Sequence, residues 1–445
     1  MSEKDDIVKR ELRHKKRIRA QVIAYLFLVL MVLLIVAGGI FGIRLLIKQL
    51  DQARIAREEA AAAAAAAEEE IVVEEPEEEI PAGTISEPEP VVEEPEEEAD
   101  EESVRNEELM ERINALTLEE KVSQLFFITP EMLTGVSKVV QAGDGTKTAL
   151  EAHAVGGLFY NASNIQSESQ LQEMLSGTVN MSKYRLFFAV EELGGADHSQ
   201  VSKAGLSDAK ASPTEIGAAN DTQAAYDAGT SIGASLGNLG FNTNWGPCAD
   251  LLISEDSFVK DIAYGSDPAQ VSELLTSMVK GLKDGGIYSC LRFFPGEGSV
   301  SEDPAAGMAV SERSTEELYA AEMTVYHAGI EAGAEMVLVG NASYPNVTGD
   351  NTPACLSPTV IGTLLRQELG FNGIVIAGPL NEAAVTEYYS PGEACVNAVA
   401  AGADMLFMPE GFEDAYNGLL AAVQEGNIPE ERINESLLRI YRVKY

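Results

Sequence analysis

The sequence contains few of the residues from which metal and redox sites are built. Its 445 residues include 4 Cys and 4 His, with no Cys-x-x-Cys pair and no Cys near a His at metal-ligand spacing. We therefore expect no zinc site, and the chain has no signature of a nucleotide or redox cofactor. We expect the cysteines to be small buried apolar residues; a disulfide remains the alternative, in one of three possible pairings. They are Cys248, Cys290, Cys355 and Cys395.

Positive charge is scarce in the carboxyl-terminal three quarters of the chain. The net charge is −40 overall, yet residues 1–57 carry 12 Lys and Arg against 5 Asp and Glu. Residues 58–108 carry 22 acidic side chains and one basic one, Arg105. Residues 109–445 are therefore also acidic, which argues against nucleic acid or anionic lipid as their partner.

One long apolar run without charge, Val22 to Ile43, follows a basic segment, residues 1–21. Its 22 residues would span ~33 Å as a helix, about one hydrocarbon core. The basic flank predicts a cytoplasmic amino terminus and an extracytoplasmic remainder, in a single-pass cell-membrane protein. A cleaved signal peptide is the alternative, although its apolar region would be shorter. A lipid-anchored lipoprotein is excluded because no Cys precedes Cys248.

A low-complexity region separates this run from the globular part. Residues 44–70 are rich in Ala, Glu, Arg, Leu and Gln, which predicts a helical extension. Residues 71–108 alternate Pro with runs of Glu, and such a segment cannot bury a core and is stretched by its own charge. We interpret it as an acidic stalk that holds residues 109–445 away from the membrane.

From residue 109 onward, short apolar runs alternate with segments of helical period. The runs start at Ser123, Gly156, Leu186, Phe241, Cys290, Met336, Ile374 and Asp404. Eight buried strands alternating with helices predict an α/β fold, a (β/α)8 TIM barrel. An open doubly wound sheet is the alternative, but it would require a glycine-rich turn after an early strand, and GGLFYN has its glycines before the strand.

Ligands of such barrels bind where the strands end. The predicted ends are Thr129, Asn161, Glu191, Asn244 with Asp250, Phe294 with the loop from Gly296 to Asp303, Asn341, Gly378 and Met408. The fifth of these carries LRFFPGEGSVSEDPA, a strand that runs into a Gly-rich loop with several carboxylates. Polar residues in this position indicate a site.

This stretch resembles the K-H-F-P-G-H-G…D-x-H segment of glycoside hydrolase family 3, in the branch that removes β-N-acetylglucosamine. Further segments resemble the family in the same order along the chain. They are LTLEEKVSQLFF, GGLFYN, FFAVEELGG, NWGPCADLL, AYGSDP, NASYP, GFNGIVIAGPL and AGADMLFMP. The resemblance covers nearly all of residues 116–444 and implies a TIM barrel with a glycosidase site.

The catalytic residues that the resemblance implies are mostly replaced. The family's nucleophile, the first Asp of T-D-D-L, matches Gly378, which offers no oxygen to attack a sugar. Of the acid/base pair in D-x-H, Asp303 remains and the His matches Ala305. The two His of K-H-F-P-G-H-G match Phe293 and Glu297.

The implied sugar-binding residues are partly kept. Glu191 and Arg292 preserve the charge of the family's Asp and Lys, and Asp250 and Asp267 are unchanged. The family's Arg matches Ile262 and its His before Tyr-Pro matches Asn341. The resemblance thus assigns substrate binding to Glu191, Asp250, Arg292 and Asn341.

Other side chains near the strand ends have two possible roles. Replacement carboxylates could come from Glu191, Glu192, Glu297, Glu302 and Glu382, although we expect these to be solvated loop acids. We expect His198 to be a loop residue rather than a new base. We expect Trp245 to lie in the barrel core rather than to stack on a sugar.

Three functions follow from this pattern. The first is a non-catalytic barrel outside the membrane that binds an N-acetylglucosamine-containing cell-wall glycan or an envelope protein. The second is a working β-N-acetylhexosaminidase that uses relocated carboxylates. The third is a structural or interaction protein whose cleft is vestigial and whose helices form the interface.

Overall fold

The computed structural model describes residues 96–195, 197–207 and 210–445. The predicted basic segment 1–21, transmembrane helix 22–43, helical extension 44–70 and the stalk up to residue 95 lie outside the described residues. Within the part that is described, none of the helices combines the length and apolar character needed to cross a bilayer.

Eight parallel strands form a closed barrel in the order of the sequence, as predicted. They are β1 Phe126–Ile128, β2 Gly157–Tyr160, β3 Phe187–Val190, β4 Thr243–Asn244, β5 Tyr288–Phe294, β6 Met336–Val339, β7 Ile374–Ala377 and β8 Met405–Phe407. The barrel closes where Phe127 of β1 pairs with Phe407 of β8. Closure excludes the open doubly wound sheet.

Helices surround the strands. They are α1 Glu96–Asn114, α2 Leu118–Ser123, α3 Pro130–Thr134, α4 Asp144–Ala152, α5 Glu168–Met181, α6 Gln200–Lys203, α7 Pro213–Ala219, α8 Thr222–Leu239, α9 Pro268–Asp284, α10 Thr315–Ala320, α11 Glu322–Glu331, α12 Pro345–Thr348, α13 Ala383–Thr386, α14 Pro391–Ala401, α15 Phe412–Gln424 and α16 Glu430–Lys444. Two short 3-10 turns, Ala162–Asn164 and Ala354–Leu356, and a π-helix, Thr359–Glu368, complete the described elements.

Local sequence signals account for several boundaries. A capping box starts α2, with Glu120 N donating to Thr117 Oγ1 at 3.2 Å and Thr117 N donating to Glu120 Oε2 at 3.1 Å. Helix α8 begins after Asp221, whose carboxylate accepts two main-chain N–H groups, and ends at Gly240 in the left-handed conformation. Residues 315–331 form two helices, α10 and α11, rather than one, because the backbone leaves the helical region at Ala321.

The amino-terminal end of the barrel is closed by α16. Lys444 donates from Nζ to Gly156 O at 2.7 Å just before β2, and Tyr288 at the start of β5 donates to Val443 O at 2.8 Å. Helix α1 packs on α16 through Leu109 and Ile113, both buried. Helix α1 therefore begins within the predicted stalk, residues 71–108, while the residues that bury its apolar face lie just after the stalk, at helical spacing.

The barrel interior is aromatic. Trp245 is 1% exposed, and its ring centroid lies 4.3 Å from that of Phe407 and 4.9 Å from that of Phe127. This places Trp245 in the core, as expected, and excludes it as a sugar-stacking surface. All four cysteines are free and buried.

Candidate active site

The predicted strand ends meet at the carboxyl-terminal mouth of the barrel, each within two residues of an observed end. The structure brings together the five residues that the sequence assigned to binding or catalysis, but in unequal positions. Asp250, Arg292 and Asn341 are 0%, 5% and 1% exposed, whereas Glu191 is half-buried and Asp303 is exposed. Three of the four predicted sugar-binding residues therefore lie beneath the surface.

Glu191 and Arg292 form an ion pair across the ends of β3 and β5. Arg292 Nη1 donates to Glu191 Oε2 at 2.9 Å, and His198 Nδ1 lies 3.8 Å from Glu191 Oε1. Burial acts to raise the pKa of Glu191, but the charge of Arg292 and the neighbouring His198 outweigh it and hold this pKa at about 2. Glu191 is thus anionic and neutralised by Arg292, and His198 is a loop residue beside this pair.

Within the part of the chain that the structure describes, Asp250 has no positively charged partner. Its Oδ1 accepts from Phe293 N and from the Tyr326 hydroxyl, each at 3.0 Å, and its buried Oδ2 has no hydrogen-bond partner among the described residues. Burial raises the pKa of Asp250 to about 7, although both hydrogen bonds act to lower it. Tyr326 was not predicted from the sequence, because a tyrosine within a helix carries no local signal of this contact.

Two further glutamates are buried, contrary to the expectation that they are solvated. Glu297 is 2% exposed and accepts from Ala342 N at 2.8 Å, and burial together with the nearby Asp250 raises its pKa well above the usual range. Glu192 accepts from Val201 N and the Ser202 hydroxyl. Main-chain and hydroxyl donors thus replace the solvation of these two carboxylates.

An apolar cluster occupies the mouth between β3 and β5. Ile262 and Phe293, which match a family Arg and His, pack together with residues of the neighbouring loops. The other members are Leu193, Cys248, Val259 and Phe258. The ring centroids of Phe258 and Phe293 are 6.2 Å apart, and the Arg292 guanidinium lies 5.0 Å from the Phe293 ring centroid. Apolar packing thus covers Arg292 where the family has polar residues.

Gly378 leaves no space for a side chain. Its φ is +123°, and a Cβ built on it would lie 2.6 Å from Leu380 N and 2.9 Å from Phe407 O. Both contacts are with main-chain atoms, which cannot turn aside as a flexible side chain could. The position that matches the family's nucleophile is therefore closed to any carboxylate in this backbone conformation.

The loops after β5 and β7 bring a second pair of carboxylates together. Asn341 donates from Nδ2 to Glu382 Oε2 at 2.7 Å and to Pro379 O at 2.6 Å, and Ala384 N donates to Pro304 O at 3.0 Å. Burial raises the pKa of Glu382 to about 7; the hydrogen bond from Asn341 opposes this rise and the charge of Asp303 adds to it. Asp303 itself accepts from Ala305 N at 2.9 Å.

Glu382 is half-buried, so the expectation of a solvated loop acid is wrong for it, whereas Glu302 is exposed as expected. Its position four residues after Gly378 was visible in the sequence, but its link to Asn341, held in turn by the Cys355 thiol at 2.9 Å, was not. Among the described residues, no group of three or more His, Cys, Asp or Glu side chains is arranged to hold a metal ion.

Comparison with known proteins gives the family. Residues 117–443 match the family model of the glycosyl hydrolase family 3 N terminal domain. Beta-hexosaminidase A of Pseudoalteromonas piscicida is 25% identical over 326 residues, 66% of this chain and 54% of the relative. A beta-hexosaminidase of Methylobacillus flagellatus is 29% identical over 261 residues, 57% of this chain and 73% of the relative.

Among solved structures, a glycoside hydrolase family 3 beta-N-acetylglucosaminidase from Paenibacillus superposes with a TM-score of 0.69 at 30% identity, covering 74% of this chain and 62% of that one. The chain thus spans about half the length of the first of these relatives and less than two thirds of this structure. With the match to the family model over most of the chain, these comparisons show that the chain belongs to glycosyl hydrolase family 3 and carries a β-hexosaminidase-like domain.

Proposed function

We propose that this family 3 barrel no longer hydrolyses glycosides and instead binds an N-acetylglucosamine-containing cell-wall glycan or an envelope partner outside the membrane. The observation that carries the proposal is Gly378, where the family's nucleophile is replaced and a Cβ would meet main-chain atoms at 2.6 and 2.9 Å. A retaining glycosidase forms a covalent sugar adduct on a carboxylate at this point, and no oxygen is present here to form it.

The state of the mouth supports the same conclusion. Asp250, Arg292 and Asn341 are buried and already bonded within the protein, so a sugar could not contact them as the family resemblance implies. Phe293 and Ile262 pack where a His and an Arg would face the sugar. Each of these changes would remove transition-state contacts that typically contribute orders of magnitude in rate.

Attachment to the membrane is proposed on the sequence alone. Val22 to Ile43 is long enough for one span, and the basic residues before it favour a cytoplasmic amino terminus. The test is membrane fractionation and protease shaving of cells that express the full chain. Release of the chain on deletion of residues 22–43 supports anchoring, and a soluble full chain contradicts it.

Hydrolysis is tested with the purified full chain and an aryl N-acetylglucosaminide. We expect no release of the aryl group above background, and no covalent sugar adduct on the intact protein by mass spectrometry. Binding is tested by co-sedimentation with peptidoglycan, in which Glu191→Ala should reduce retention. Turnover, or retention that is unchanged in Glu191→Ala, would count against the proposal.

A second candidate, a hydrolase with relocated carboxylates, is favoured by one observation. Glu382 and Asp303 lie on adjoining loops over the positions of the missing nucleophile and acid/base His, and the pKa of Glu382 of about 7 suits a general acid at neutral pH. If this candidate is correct, any turnover is abolished by Glu382→Gln and kept by Glu302→Gln, an exposed carboxylate of the same β5 loop. Turnover that survives Glu382→Gln excludes it.

A further inference from the structure

One short segment at the end of β6 holds two glutamates that come from two different loops. Ala342 N donates to Glu297 Oε1 at 2.8 Å, and Asn341 Nδ2 donates to Glu382 Oε2 at 2.7 Å. Glu297 lies in the loop after β5, and Glu382 lies in the loop after β7. The two hydrogen bonds therefore tie these loops together at the mouth of the barrel.

The contact is closely packed around the carboxyl group of Glu297. A Cβ at Gly340 would lie 2.2 Å from Glu297 Oε1, so the absence of a side chain at Gly340 makes room for this carboxyl group. Asn341 is fixed in turn by the Cys355 thiol, which donates to Asn341 Oδ1 at 2.9 Å. Glu297, Asn341 and Cys355 are 2%, 1% and 0% exposed, so this part of the contact is shielded from water.

The groups around the two glutamates are acidic or neutral. Those that face Glu297 from the neighbouring elements are Asp250, Cys248, Tyr344, Cys355 and Glu382, and those that face Glu382 are Asp303, Glu297 and Cys355. The nearby cations are already paired: Arg313 Nη2 lies 2.7 Å from Glu322 Oε2, and Arg292 Nη1 donates to Glu191. Among the described residues, neither Glu297 nor Glu382 forms an ion pair.

Burial and like charge both oppose the loss of a proton from these glutamates. Burial raises the pKa of Glu297 well above 4.5, and the charges of Asp250 and Glu382 raise it further. Burial likewise raises the pKa of Glu382 to about 7. Separation of the loops would return both carboxyl groups to water and lower each pKa, so separation releases protons. The closed arrangement is therefore fully favoured below pH 4.5 and is weakened as the pH rises through about 7.

We propose that Glu297 and Glu382 form a proton-dependent latch, which holds the loops after β5 and β7 closed over Asn341 and opens the mouth when the two protons are lost. The inference rests on the proposed function, because it gives a glycan a route to a binding residue that is buried in the closed state. There, Asn341 is bonded to Glu382 and to Pro379 O. Opening would free its amide for a hydroxyl or acetamido group of the sugar.

The Cys355 thiol reports on the latch, because it is buried and bonded to Asn341. The full chain is treated with iodoacetamide at pH 5 and pH 8, and labelling of each cysteine is followed by peptide mass spectrometry. Every thiol reacts faster at higher pH, so the labelling rate of Cys355 is divided by that of Cys290 in β5. This ratio should rise at least about ten-fold, the effect of one released proton over one pH unit.

Glu297→Gln and Glu382→Gln keep a neutral side chain of the same shape, so each should reduce the rise, and the double variant should abolish it. Glu302→Gln is the matched control, since it removes an exposed carboxylate of the same β5 loop, and it should keep the full rise. A ratio that is equal at the two pH values, or a rise that survives in the double variant, overturns the latch.

Retention on peptidoglycan connects the latch to the ligand. The wild type should be retained more strongly at pH 8 than at pH 5, and the double variant should lose this difference, although the charge of peptidoglycan changes equally for both proteins. Retention without a pH-dependent Cys355 ratio overturns the latch and leaves the proposed function standing. A pH-dependent ratio without retention at either pH leaves the latch standing and contradicts glycan binding.

Discussion

Each end of the barrel holds a fully buried aspartate, and the two aspartates differ in their partners. At the amino-terminal end, the fully buried carboxylate of Asp404 forms ion pairs with Arg366, Arg432 and Arg439. Arg366 makes the shortest of these contacts, and Arg439 Nη1 lies 3.0 Å from Asp404 Oδ1. At the carboxyl-terminal end, Asp250 is equally buried but has only neutral donors, and the pKa of Asp250 is raised to about 7 in consequence of its burial.

The presence or absence of a cationic partner gives the two buried aspartates different roles. A buried carboxylate with matched cations stabilises a fold by pinning elements, here β8 to α16, and is costly to disturb. A buried carboxylate without a cation has a raised pKa, and strongly shifted pKa values are found most often at functional sites.

The largest expected effect tests the amino-terminal end. Asp404→Asn would leave Arg366, Arg432 and Arg439 without their counter-charge, and we expect a loss of about 3–5 kcal/mol in the free energy of unfolding. Urea unfolding of the full chain, followed by tryptophan fluorescence of the core Trp245, measures it. A loss below about 1 kcal/mol would show that the three arginines find other partners. The contrast between Asp404 and Asp250 would then be contradicted.

The sequence predicted the barrel and not the ion pairs, for a physical reason. A local pattern predicts each strand: an apolar run that ends at a polar or glycine residue, such as the runs that end at Asn161 and Gly378. Asp404 and its arginines, or Glu191 and Arg292 at a separation of 101 residues, meet only once the barrel closes. No local pattern encodes such a contact.

Some features of the candidate site could also be predicted from the sequence, and others could not. The sequence predicted the loss of the nucleophile at Gly378, because the residue type alone decides whether a side-chain carboxylate is present. It did not predict the burial of Asp250 and Asn341, because this burial depends on segments far along the chain, such as Tyr326 against Asp250 and Pro379 against Asn341. The expectation that Glu297 and Glu192 are solvated was wrong because main-chain donors in distant segments satisfy them.

The next effect tests whether the carboxyl-terminal end can take back a nucleophile. Gly378→Asp should fail to restore hydrolysis and should cost roughly 2–3 kcal/mol, from positive φ and main-chain crowding together. The matched control is Gly349→Asp, at φ +86° with open space around it, which isolates the conformational part. Equal losses in the two variants would show that Gly378 is not crowded, and restored turnover of an aryl N-acetylglucosaminide would show that position 378 is not closed to a carboxylate.

A smaller loss is expected where the carboxyl-terminal end does keep an ion pair. Glu191→Gln removes the partner of Arg292 and should cost about 2 kcal/mol at pH 7, less than Asp404→Asn because Glu191 is partly exposed. The pKa of Glu191 is lowered to about 2 in the folded state, so this stabilisation is present above pH 4.5 and is lost as the pH falls toward 2.

Urea midpoints at pH 7 and pH 3 check the Glu191 prediction, with the exposed Glu302→Gln as control. The difference between wild type and Glu191→Gln should shrink at pH 3, where the unfolded carboxyl is protonated. A difference that is the same at both pH values would mean that Arg292 is not held by the charge of Glu191.

The last prediction concerns pH dependence at Asp250, whose sign is opposite to that at Glu191. The pKa of Asp250 is raised from 3.8 to about 7 by burial, so between these values the unfolded chain releases a proton that the folded chain retains. The stability of the wild type therefore falls as the pH rises from 4 to 7, by at most about 1.4 kcal/mol per unit for this one group.

Asp250→Asn removes this dependence, and its stability relative to wild type should rise over the same interval in urea unfolding at pH 5, 6 and 7. Tyr326→Phe, which keeps the carboxyl and deletes a hydroxyl donor to it, should retain the fall. Parallel pH profiles for wild type and Asp250→Asn would mean that burial does not hold the proton on Asp250, and the contrast between the two ends would not hold.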